Sequence, residues 1–460
     1  MIGNHGGMQS FDVVVVGAGP GGEVAAGRLA EAGLSVAIVE GDHVGGECSF
    51  YACIPSKALL RPGELLEEAR HVPGVAEAVT GSLDVAAVLR RRDELINNED
   101  DSGQVPWLLD RGVTLVRGWG RLAGEKRVAV GDDILEARQA VILAGGTRAT
   151  LPGIDGLAEA NPWTNREATT AKEIPASLVI IGAGVVGSEM AQAYVSLGAR
   201  VTLIAGRGLL TREEDFAGEQ VAARLTEQGV DVRIGQRPKT VRRDTDGVTV
   251  TLADGSTVSA DEILVATGRT PQSVDLALDT VGVKADGYVE VDQHMRVPGH
   301  DWLYVIGDLN GRALFTHMAK YQAAIASGEI LGKPMVIDHL ADGPGAPRVI
   351  FTSPQVAAVG HTTASAQAAG LQVRVIDVPT DGNAGGSYSG GVVGTTRFLI
   401  DENRNVLVGV TITGTQVADF LQAATIAIVG EVPLTRLRHA IPSFPTRSEI
   451  WLYLFNNLGI

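Results

Sequence analysis

The chain has 460 residues, 45% of them hydrophobic and 20% charged, and 38 basic against 54 acidic side chains leave a net charge of −16 at pH 7. That is room for about three domains of ~150 residues with an ordinary globular composition, which excludes a disordered chain, while the acidic balance excludes a binder of nucleic-acid backbones. The only two cysteines, Cys48 and Cys53, exclude a disulfide-stapled scaffold and any four-cysteine metal site, and no metal site is expected.

From the start of the chain, residues 1–10 lack the basic start and apolar core of a signal peptide and read as a loose extension, with Met8 an equally good start. No uncharged apolar run reaches the ~18 residues that a membrane span needs, so the expectation is a cytoplasmic protein with no membrane partner. Residues 11–40 read as an apolar strand (12–16), a glycine turn, an alanine-rich helix (23–32) and a second strand ending at Glu40, one βαβ unit. A second copy begins 165 residues later, with strand 178–181, turn 182–187, helix 188–197 and strand 200–205. After each copy comes a strand closing on glycine, 140–147 with Gly145 and 262–269 with Gly268, and a third, 302–308, closes on Gly307-Asp308 before a helix at 321–331. The stretch 343–347 reads as a linker into strands 392–400 and 406–412 and a helix at 417–429. Boundaries near 155, 275 and 342 follow, and the 58 glycines suit a chain whose backbone often approaches a ligand or itself.

In Gly17-Ala-Gly19-Pro-Gly-Gly22 the first glycine permits the tight turn, the second lets backbone approach a pyrophosphate, and the third lets helix pack on strand, with the phosphate charge on the helix N-terminus. Glu40, 23 residues after Gly17, can accept hydrogen bonds from a ribose diol, which suits an adenosine without a ribose phosphate. The second fingerprint, Gly182, Gly184 and Gly187, has Ala205 at the matching distance, with Arg207 and Arg212 following. A guanidinium can pair with a 2′-phosphate that a carboxylate would repel, so NADPH is expected over NADH, the alternative being two solvated loop charges.

Cys48 and Cys53 stand five residues apart at the entry to a helix. In an ideal helix that spacing separates Cα atoms by roughly 8–9 Å, beyond the ~7 Å limit of a disulfide, so the Cys48 end must be a distorted turn and any bridge a labile one. Cys53, near the helix start with Lys57 one turn on, is placed to favour thiolate, which points to redox chemistry rather than an inert staple.

These motifs in order, with Gly-Gly-x-Cys48-x4-Cys53-Ile-Pro-Ser-Lys57, Glu189 after the second fingerprint, Gly307-Asp308, residues 351–360 and Pro445-Thr446-x-Ser-Glu449, resemble the class I flavoprotein disulfide reductases, which include dihydrolipoamide dehydrogenase. The resemblance implies an α/β chain with two Rossmann-like dinucleotide-binding domains, for FAD (1–155 and 275–341) and NAD(P) (156–274), and a C-terminal α+β dimerisation domain (342–460). It implies a homodimeric oxidoreductase acting on a small-molecule disulfide, dithiol or related electrophile. Cys53 resembles the thiol beside the flavin and Cys48 the interchange thiol. Asp308 matches the ligand of the ribityl chain, Gly46, in the Gly-Gly-x-Cys48 motif, is counted with the cofactor-binding residues, and Lys57 with Glu189 matches the ion pair on the nicotinamide side.

One position departs from the pattern: Phe444 stands where most members carry a proton-shuttling histidine oriented by the glutamate here numbered Glu449. A well-placed general base contributes ~10²–10⁴-fold, so ordinary disulfide turnover should be slow unless another group, His439 the nearest, substitutes. Carboxylating members of the 2-oxopropyl-coenzyme M type also place Phe there but replace the acid. A further alternative is a non-catalytic dimeric complex component holding FAD as a structural ligand. With no cysteine after Cys53, mercuric reductase and large thioredoxin reductase activities are excluded. Phe50 and Tyr51, between the two thiols, either shape the substrate pocket or fill core space.

Overall fold

The computed structural model describes residues 7–336 and 339–459, so most of the extension read at 1–10 lies outside the described residues. Met8–Ser10 are no extension: they open the strand Met8–Val16, in parallel register with Ile134, Leu135 and Glu136. The chain forms two compact units.

The first unit comprises Met1–Pro55, Asp93–Arg148 and Arg269–Asp338. Its seven-stranded sheet runs Thr114–Arg117, Val36–Glu40, Met8–Val16, Asp133–Leu143, Arg127–Val130, Gly120–Leu122, with Leu303–Val305 also pairing with Asp133–Leu143. Val13 and Val15 pack into one core and Val14 and Val16 into another, on opposite faces of the sheet. That double burial explains why the strand is an unbroken apolar run rather than an alternating one. On the first face lie the helices Pro20–Glu31 and Thr316–Ile330, in contact where a Cβ on Gly21 would come 3.2 Å from Ala319 Cβ. The latter helix starts five residues before the expected 321.

The second unit comprises Ser56–Arg92, Ala149–Gly268 and His339–Ile460. A four-stranded parallel sheet in the order Asp231–Ile234, Arg200–Ala205, Ser177–Ile181, Glu262–Val265 carries the helix Val185–Ser196. A three-stranded antiparallel sheet, Pro238–Asp244, Gly247–Leu252, Thr257–Ala260, joins it. The C-terminal region is a five-stranded antiparallel sheet, Arg348–Ile350, Gln355–Gly360, Val406–Gly414, Thr395–Asp401, Val373–Pro379. The helices Leu421–Val429 and Ile450–Leu458 cover a core containing Phe398, Ile412, Trp451 and Leu454. The expected strand at 392–400 starts later, at Thr395, because Gly390 and Gly391 take positive φ and a Cβ on Gly394 would strike Thr413 O at 1.8 Å. The α/β class with a C-terminal α+β region is as expected from the sequence.

Arg92, fully buried on the helix Val85–Leu95, donates to the carbonyls of Thr169 and Ala171, the latter at 2.7 Å, at the end of the helix Asn165–Thr170. A cation there satisfies orphan carbonyls and opposes the negative end of the helix dipole. Arg92→Met should destabilise the protein by about 2–4 kcal/mol, the cost of charge-assisted bonds lost from buried acceptors, measured by urea unfolding followed by circular dichroism.

Candidate active site

In the first unit the glycine turn is built as its spacing requires. Gly17 has φ +101°, and a Cβ there would lie 2.5 Å from Ala144 O, while one on Gly22 would lie 1.9 Å from Gly17 O. Gly19, by contrast, faces open space and precedes the first turn of Pro20–Glu31, whose amides point outward. A Cβ on Gly46 would come 2.9 Å from Gly19 Cα, so the cysteine-bearing segment abuts this turn. Glu40 accepts the Ala18 N–H at 2.6 Å and the Asp42 N–H at 2.7 Å, and burial lifts its carboxyl above the usual range against those two bonds. Burial pushes Glu23, in the first helical turn, up to about 7, with the Lys320 charge opposing, so the helix N-terminus carries less than a full opposing charge at neutral pH. This open, amide-lined cradle fits the pyrophosphate of a dinucleotide, and Glu40 fits its ribose diol.

Asp308, at the end of the third glycine-closed strand, accepts a hydrogen bond from Thr147 Oγ1 at 2.9 Å, and its carboxyl is raised by burial. Arg269 donates to Thr147 Oγ1 at 2.8 Å and to Thr147 O at 2.6 Å, and stands 3.4 Å from Glu47 Oε2. Gln272 Nε2 donates to Gly145 O at 2.9 Å. A buried acid set among donors in this way fits the polar chain of FAD. Thr147, Arg269 and Glu47 were missed in the sequence, although Arg269 follows directly on Gly268, because nothing local to them announces a shared site.

Cys48 lies in the short helix Gly46–Phe50, which ends at Tyr51 with φ −133° and ψ 0°, and Cys53 opens the next helix, Cys53–His71. This is the distorted turn that the spacing demanded. The two sulfurs carry thiols rather than a disulfide. The hydrogen bond to Cys53, then burial, then the charge on Cys53 raise the Cys48 thiol, while Thr316 and Lys320 act the other way. Thr316 Oγ1, at the start of its helix, lies 3.5 Å from Cys53 Sγ. Phe50 and Tyr51 are 1% and 8% exposed and form one cluster with Ile96, so their rings fill core space.

In the second unit Lys57 Nζ meets Glu189 Oε2 at 2.7 Å, and Glu189 Oε1 accepts the Phe351 N–H at 2.9 Å. Lys57 also lies 4.8 Å from the centroid of the Phe351 ring. The second glycine turn repeats the first: a Cβ on Gly182 would lie 2.4 Å from Ala266 O, one on Gly187 1.8 Å from Gly182 O, and Gly184 faces open space. Arg207 and Arg212 are exposed on the loop after Arg200–Ala205, whose Leu210 N–H donates to Ala183 O at 3.0 Å. Arg237 was not singled out in the sequence; its Cγ and Nε lie 3.9 Å from where a Gly206 Cβ would stand.

Phe444 is 76% exposed and Ile441 85%, and His439 is also exposed. Glu449 Oε2 is buried without a hydrogen-bond partner. Between them Arg447 pairs with Asp381 at 3.0 Å, both nearly buried, and donates to Gly390 O at 2.7 Å and to Thr415 O. Among the described residues there is no metal-binding cluster and no helix long and apolar enough to cross a membrane.

Residues 11–328 match the family described as pyridine nucleotide-disulphide oxidoreductase, and residues 346–454 match its dimerisation domain. The chain is 31% identical over 470 residues to a dihydrolipoyl dehydrogenase of Cupriavidus necator, with 96% of each chain covered. It is 34% identical over 476 residues to dihydrolipoyl dehydrogenase 3 of Pseudomonas aeruginosa, with the same coverage. The fold superposes with a TM-score of 0.85 on the Cu(II) complex of the HOCl-induced flavoprotein disulfide reductase RclA from Escherichia coli, at 21% identity, covering 98% of this chain and 99% of that one. With two dinucleotide cradles, an adjacent thiol pair and these relatives along its length, the chain belongs to the pyridine nucleotide-disulphide oxidoreductase family, oxidoreductases that act on sulfur groups with FAD and NAD(P)H.

Proposed function

We propose that the protein is a cytoplasmic homodimer that uses NADPH to reduce a small-molecule disulfide or related electrophile, with Cys48 as interchange thiol and Cys53 as the thiol beside the flavin. The observation that carries this is the adjacent thiol pair: Cys48 sits in the short turn that abuts the first glycine cradle through Gly46, and Cys53 opens the helix that carries Lys57. FAD, when bound, supplies the transfer of an electron pair between nicotinamide and sulfur. Once deprotonated, Cys48 attacks one sulfur of the substrate and releases the other as a thiolate. Cys53 thiolate then attacks Cys48 Sγ, releases the second substrate thiolate and closes the Cys48–Cys53 bond, so two electrons leave the protein and the substrate gains them. Lys57, held by Glu189, places a cation on the nicotinamide side. We assign FAD to residues 1–155 and 275–341, NADPH to 156–274 and the subunit interface to 342–460.

The hydrogen bond to Cys53 and burial raise the Cys48 thiol, so the missing imidazole is costly, because a raised thiol needs help to lose its proton. Phe444 is shared with carboxylating relatives, yet the retained Glu449 favours a sulfur substrate over that chemistry. For the coenzyme, Arg207 and Arg212 are exposed on the loop that follows the second fingerprint's strand and Arg237 lies beside Gly206, whereas the first fingerprint has Glu40 at the matching distance.

Anaerobic two-electron reduction should produce a long-wavelength thiolate-to-flavin absorption band that Cys53→Ser abolishes and Cys48→Ser retains; a reduced enzyme without it contradicts the thiol roles. Phe444→His should raise disulfide turnover at least ~10-fold in steady-state assays, the low end of what a general base contributes. No gain would leave His439 as the group to remove next. Arg207→Ala and Arg237→Ala should each weaken NADPH binding roughly 10-fold by titration while leaving NADH within about twofold, as loss of one charge-assisted phosphate contact predicts.

A further inference from the structure

Beyond Glu40 the first sheet presents an aromatic surface that the reading above leaves without a role. Thr114–Arg117 pairs in parallel with Val36–Glu40, Arg117 standing opposite Glu40, and the Gly118 N–H donates to Glu40 O at 2.9 Å. Trp119 therefore follows at the carboxyl ends of the strands, the edge at which open α/β sheets bind ligands. A Cβ on Gly41 would come 2.4 Å from Trp119 Cδ2, 2.7 Å from Cε2 and 2.8 Å from Cε3, so the indole lies over the Gly41 Cα. Gly41 is not among the glycines with positive φ; what requires glycine there is the ring.

The indole is nevertheless 72% exposed, against 5% for Trp302 and 9% for Trp451. Its setting is rigid: Arg117 is held by Asp101 at 2.7 and 2.9 Å and by Asp42 O at 3.1 Å, and Glu40 is committed to two amides of the turns on either side of it. A large aromatic fixed against backbone, open to solvent, and one residue in space from a ribose-binding carboxylate is a stacking platform for the base attached to that ribose.

We infer that Trp119 is the stacking partner of the adenine of FAD. The inference rests on the assignment of the first fingerprint to FAD and adds the residue that reads its base. Flavin mononucleotide lacks the whole adenosine, ribose and base alike, so it can reach neither Glu40 nor Trp119. Trp119 thus adds to the preference of this site for the dinucleotide through the base alone, and its loss should leave mononucleotide binding unchanged.

The test uses holoenzyme diluted to nanomolar concentration, with FAD release followed by the recovery of free flavin fluorescence. Trp119→Ala should weaken FAD retention roughly 5- to 100-fold, the range expected for one aromatic–base stack, and Trp119→Phe should restore most of it. Flavin mononucleotide, supplied in excess to the stripped proteins, should bind wild type and Trp119→Ala within about twofold of each other. Equal FAD retention in wild type and Trp119→Ala overturns the inference, as does an equal loss of both flavins, which would make Trp119 a support of the fold. A wild-type protein that purifies colourless and takes up no flavin would instead overturn the FAD assignment itself.

Discussion

Two sulfurs five residues apart meet because the helix that carries Cys53 does not extend back to Cys48. The chain makes one short turn, Gly46–Phe50, leaves helical geometry at Tyr51, and restarts at Cys53. Phe50 and Tyr51 hold the interruption by burying their rings with Ile96, so the residues between the thiols serve the break and leave the sulfurs to the site. The contact also sets the electrostatics of Cys48, whose thiol is raised by the hydrogen bond to Cys53 and by burial. Gly46 against Gly19 ties the same turn to the first dinucleotide cradle, which brings sulfur chemistry and nucleotide binding into one unit.

Phe444, which stands where the family resemblance leads one to expect a histidine, is exposed on a segment that is itself firmly held. Arg447, buried with Asp381 and bonded to two backbone carbonyls, holds the segment that carries Phe444 and Glu449. A buried ion pair is weak evidence for stability but fixes geometry, because its desolvation is repaid only in one arrangement. Glu449 still points an unpartnered buried oxygen into that arrangement.

The two fingerprints form an internal control. Their glycines meet the same obstacles, the carbonyl of the facing strand's end and the carbonyl of the first glycine, because each turn must reverse a strand into a helix within a few residues. They diverge at the end of the second strand, which has an acid bonded to amides in one case and exposed guanidiniums in the loop that follows in the other.

How much of this was legible depended on whether the physics was local. A turn that must be tight, a helix N-terminus that must stay open and a thiol spacing that no straight helix can bridge are constraints between near neighbours in the chain, so the sequence alone determined the α/β class, both cradles and the kink at the cysteines. Lys57 with Glu189 came through the family resemblance, since 132 positions separate them and no periodicity links them. Thr147, Arg269, Glu47, Arg237 and Trp119 were decided only by the tertiary structure. Each acquires its role from a neighbour brought across a sheet edge or from a distant strand end, and hydrogen bonds, burial and ring contacts of that kind exist only after the sheets have aligned residues far apart in the chain.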